Sequence, residues 1–115
     1  MPTVYPENPA GTVIVQNYIT IDTQSTEFRE LNAKLDELLD EWRKLNEIST
    51  EVRDQLRAEI TAGRELLTAH KTNRNMIDVL LLNPLKYIAK TFASAFIGEL
   101  AKGALKLILE LLLLH

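Results

Sequence analysis

Cysteine is absent from this sequence, so disulfides, thiolate metal sites and a cysteine nucleophile are all excluded. That absence leaves the redox compartment open, because a chain without thiols is stable in either setting. Histidine is nearly absent too, with only His70 and His115. His70 has Leu66, Leu67, Asn73 and Arg74 at its helical neighbour positions, so no carboxylate orients it locally, and His115 is the last residue. No phosphate loop, dinucleotide fingerprint, nucleophile elbow or zinc spacing occurs. The expectation is a protein that is not an enzyme and has no cofactor or metal.

A net positive charge is also lacking. The net charge of -3 offers no field for nucleic acid, and the C-terminal lysines have no interleaved exposed aromatics for stacking on single strands. Four glycines and four prolines are too few for collagen-like or low-complexity chains. A spanning helix needs about 20 largely uncharged residues. In the oily C-terminal region the uncharged stretch between Lys90 and Glu99 has only eight residues, Thr91–Gly98. The N-terminus has no basic start followed by an apolar run of signal length, which points to a cytoplasmic location.

What is present is arranged in zones of one domain. Residues 1–11 form an irregular arm with Pro2, Pro6, Pro9 and Gly11. Residues 12–21, TVIVQNYITI, contain seven β-branched residues out of ten, a strand composition. Alternation puts Val13, Val15, Ile19 and Ile21 on one face. No second strand of comparable length follows, so this single strand is expected to pair with a second copy of the chain. A strand lent to another protein's sheet and an extended arm lying over the helices are the alternatives.

Residues 25–75 read as a charged antiparallel helical hairpin. The first helix is capped by Ser25 or Thr26, and its apolar residues Phe28, Leu31, Leu35, Leu38, Trp42 and Leu45 follow a 3,4 heptad seam widened by Leu39. Ser49 or Thr50 caps the second helix, whose stripe is Val52, Leu56, Ile60, Leu66 and Leu67. Gly63 either costs about 1 kcal/mol relative to alanine or marks a close helix contact. The acids Asp36, Glu37, Asp40 and Glu41 read as a solvated helix face, because no histidine lies among them at ligand spacing. The polar run Lys71–Asn75 reads as a joint.

Residues 76–115 form the apolar helical segment, with 26 apolar residues of 40 against 17 of 51 in residues 25–75. Met76–Leu82 is expected to be a short helix capped by Asn75 that stops before Asn83-Pro84, where a second one starts. Lys86, Lys90 and Ser94 fall on nearly the opposite side from Glu99, Lys102, Lys106 and Glu110 at 100° per residue. A bend near Gly98 is the favoured resolution, a continuous helix passing between different neighbours the alternative.

The expected fold class is therefore mainly α and oligomeric: arm, single strand, helical hairpin and apolar C-terminal helices. The hairpin's two seams cover only part of the C-terminal segment, and large exposed apolar patches are uncommon on monomers. The expected function is self-assembly, as a dimer or larger, through Val13, Val15, Ile19 and Ile21 of the strand and Leu105, Ile108, Leu109 and Leu112 of the last helix. A membrane-active protein, such as a small toxin or pore component, is the alternative, with Lys86, Lys90, Lys102 and Lys106 toward lipid headgroups. A module that donates its strand to another protein is the second alternative.

Overall fold

A computed structural model describes residues 18–69 and 71–113. Val13, Val15, the 1–11 arm and both histidines lie outside the described residues. The order is β1 (Tyr18–Ile19), α1 (Thr26–Arg43), α2 (Thr50–Leu66), β2 (Thr72–Asn73), a helical run over 74–91 termed α3, and α4 (Phe96–Leu113). The architecture is mainly helical, with a small two-stranded antiparallel sheet.

The caps of α1 and α2 lie where the sequence puts them. Ser25 Oγ accepts from the Phe28 amide at 3.1 Å, and Ser49 Oγ accepts from the Val52 amide at 3.2 Å. Each satisfies an amide that the helix itself leaves unpaired. The heptad residues Phe28, Leu31, Leu35, Leu38 and Trp42 are all buried. Contacts between α1 and α2 run in opposite directions along the two helices. Trp42 Nε1 donates to the Arg53 carbonyl at 2.9 Å near one end, while Arg64 reaches Asn32 at 3.1 Å and Asp36 at 2.6 Å near the other. This is the antiparallel hairpin that the short connection implies. Yet α1 packs most extensively on α4, and the heptad seam belongs mainly to that contact.

Three expectations need correction. First, the strand is not without a mate in its own chain. Tyr18 pairs with Asn73 and Ile19 with Thr72, antiparallel. The mate was hidden in the polar joint, which has no apolar alternation to mark it. Its anchor is Thr72, fully buried, with Oγ1 donating to the Leu66 carbonyl at 3.1 Å. The side chain of Asn73 then caps α3, accepting from the Asn75 and Met76 amides, two residues earlier than the expected cap at Asn75.

Second, α3 does not stop before Asn83. An α-helical turn (Arg74–Ile77) passes through a π-helical turn (Asp78–Leu82) into a further α-helical stretch (Asn83–Thr91). In a regular helix the Pro84 ring would meet the carbonyl four residues back. The wider turn, in which the Asn83 amide donates to the Asp78 carbonyl, gives that ring room.

Third, the break expected near Gly98 is present, but it lies at Phe92–Ala95, just ahead of that residue. The Phe92 carbonyl accepts from the Ala95 amide at 3.0 Å, and the Ala95 carbonyl accepts from Gly98 and Glu99 to start α4. Gly98 is still essential to the bend. A Cβ there would lie 2.0 Å from the Phe92 carbonyl oxygen. The glycine lets α4 leave the turn against its own preceding backbone.

Gly63 does mark a close contact, since a Cβ there would meet Leu81 Cγ at 2.5 Å. Gly103 behaves otherwise. A Cβ there would meet only the outer carbons of Lys34, 2.8 Å from Cε. That flexible side chain can swing away, and alanine is the better helix former by about 1 kcal/mol. Gly103→Ala is expected to raise stability by about 0.5–1 kcal/mol, read as a higher midpoint in urea denaturation.

Candidate functional site

Among the described residues, those expected to mediate self-association are not gathered on one exposed surface. Ile21 and Ile108 are buried in the chain's own core. Ile19, Leu105 and Leu112 are half-buried and packed against that core, while Leu109 is exposed. The core also takes Ile97, Leu100, Ala101, Ala104, Leu107 and Leu111 of α4. One copy of the chain thus absorbs the whole inner face of its last helix, more than the sequence alone suggested. The four lysines Lys86, Lys90, Lys102 and Lys106 are all exposed.

Three of the four clustered acids on α1, all but Glu37, are in ion pairs among the described residues. Asp36 pairs with Arg64, Asp40 with Arg43 and Lys44, and Glu41 with Lys44. No group of three or more potential metal-ligating side chains occurs among the described residues. No helix among them is long and apolar enough to cross a membrane.

The feature that sequence reasoning missed is a shallow, open groove of about 470 Å³ between α2 and α3. Its floor is apolar, made by Val52, Leu56 and Tyr87, and its α2 rim carries Glu51 and Glu59. Val52 and Tyr87 remain 39% and 43% exposed. The cause is periodicity. A stripe at i, i+4, i+8 winds about 40° around the helix at each step. Ile60 therefore faces the core, Leu56 sits at its edge, and Val52 has turned out of it. On α3 the inward side is Leu85, Ile88 and Ala89; Tyr87 points toward α2, and Lys90 and then Lys86 lie progressively farther from α2. Gly63 against Leu81 and Val52–Glu59 against Tyr87 make α2 and α3 antiparallel.

The surface at and beside this groove thus has three bands: acidic on the α2 rim, apolar in the middle, and basic at Lys90 and Lys86 of α3, which lie outside the groove lining. None of Glu51, Glu59, Lys86 or Lys90 is in an ion pair among the described residues. Glu59 accepts only a hydrogen bond from Gln55, at 2.9 Å.

A second exposed stripe runs along α4, where Phe96, Glu99, Lys102, Lys106, Leu109 and Leu113 follow spacings of three and four. Lys102 and Glu99 form an ion pair at 4.0 Å. No protein family, no curated protein and no solved structure matches the chain, so the reading of function rests on these surfaces.

Proposed function

We propose that this chain is a non-catalytic interaction protein that assembles with further copies of itself. The observation that supports the reading is where the apolar surplus lies. Six of the eight large hydrophobic side chains exposed among the described residues belong to α3 and α4: Met76, Val79, Tyr87, Phe96, Leu109 and Leu113. The C-terminal helices have filled the core and still carry apolar side chains outward. Scattered exposed hydrophobics are ordinary, but a concentration on two adjoining helices marks a surface that meets something.

Size-exclusion chromatography with light scattering, run between about 1 and 100 micromolar, tests this. The mass is expected to climb with concentration from 13.1 kDa toward twice that value. A constant 13.1 kDa across the range would overturn it.

The α4 stripe favours a second reading, binding to an anionic membrane surface. Lys102 and Lys106 share one exposed stripe of α4 with Phe96, Leu109 and Leu113, so that stripe offers both positive charge for headgroups and apolar side chains for the acyl boundary. Co-sedimentation with phosphatidylglycerol vesicles, lost in Lys102→Glu/Lys106→Glu, would support it; protein left in the supernatant would dismiss it.

A further inference from the structure

We infer that the groove between α2 and α3 is a two-fold interface, filled by the same face of a second copy. The inference rests on the self-assembly reading and adds its place and symmetry. A band of acid beside a band of apolar surface beside a band of base has a particular property. Turned by 180° about an axis through its middle, it presents base to acid and acid to base. Each copy's Glu51 and Glu59 then meet the other's Lys86 and Lys90, and the Val52, Leu56 and Tyr87 strips meet across the axis.

Such an isologous contact closes on itself and stops at two chains, the commonest oligomeric form. The four charges are without ion-pair partners among the described residues, so they are available to a neighbour without breaking an internal bond. An arbitrary protein partner would need to match three bands of differing character. The second copy matches them by construction. The strip runs from Glu51 to Glu59 of α2, a length of about 13 Å at about 1.5 Å per residue, which suits a small, reversible dimer contact rather than an obligate one.

Two charge-reversed variants test this without relying on a destabilised chain, because all four residues are exposed or half-buried surface positions. Glu51→Lys/Glu59→Lys makes the face entirely basic apart from its apolar strip. Lys86→Glu/Lys90→Glu makes it acidic. Each variant alone is expected to keep its helical circular dichroism and to dimerise at least about tenfold more weakly than wild type. Mixed one to one, they are expected to recover a dimer at wild-type concentrations, as a heterodimer seen by native mass spectrometry. If either variant alone associates like wild type, or the mixture fails to recover, the face is wrong, although self-assembly itself can stand. A wild-type chain that stays monomeric fails both the inference and the reading beneath it.

Discussion

Replacing Trp42 with alanine is expected to remove about 3–5 kcal/mol of stability. Domains of this size hold a total of about 5–15 kcal/mol, so the variant should be near or past the point of unfolding at room temperature. Trp42 has no exposed surface and joins several elements at once. It is on the α1 seam, its Nε1 donates to the Arg53 carbonyl of α2, and its ring meets Phe92 edge to face, with centroids 5.9 Å apart and planes at 87°. Deletion therefore opens a cavity, leaves the Arg53 carbonyl without that donor and frees the α3–α4 turn. Trp42→Phe keeps most of the packing and loses the donor, so it should cost roughly half as much or less. Urea titrations of the three proteins check the order. A Trp42→Ala protein with a wild-type midpoint would show that α1, α2 and the turn are not joined through this ring.

The second large effect is expected at Gly98. Alanine is normally favoured over glycine in a helix by about 1 kcal/mol, yet Gly98→Ala should destabilise by about 2–3 kcal/mol. The new methyl would lie 2.0 Å from the Phe92 carbonyl oxygen. That oxygen also accepts from the Ala95 amide, so it cannot retreat without giving up the bond that shapes the turn. Thermal melts are expected to fall by roughly 10 °C. Gly103→Ala, five residues along the same helix, should move slightly the other way. The contrast of sign within one helix separates backbone crowding from helix propensity.

The helices were legible because their periodicity is strong and local. Phe28, Leu31, Leu35, Leu38 and Trp42 could only be one face, and Ser25 and Ser49 announce their caps. The strand mate was not legible, since Thr72–Asn73 owes its extended form to burial of Thr72 and to pairing with residues more than fifty positions away. Nor was the passage of α3 through Pro84, where packing of Leu81, Leu82 and Leu85 in the core rewards a continuous helix and the π turn removes the clash. Apolar content alone overstated the chain's need for neighbours. One α4 face fits the core of a single copy, and only three-dimensional placement shows which side chains are left over. The groove was invisible for a related reason. Val52 and Leu56 belong to a regular stripe, and it takes the position of α3 to show where that stripe turns away from the core.

The central claim is that the chain completes its own core and then meets a second copy at the α2–α3 face. Because the sequence has no cysteine, Ala58→Cys on the exposed side of α2 can carry a single spin label. Pulsed dipolar spectroscopy on that protein reads label-to-label distance between copies directly. A two-fold contact through the groove predicts one narrow distance of about 20–30 Å, two to three helix diameters. A featureless decay at concentrations where the chain is dimeric, or a broad spread of distances, would contradict it.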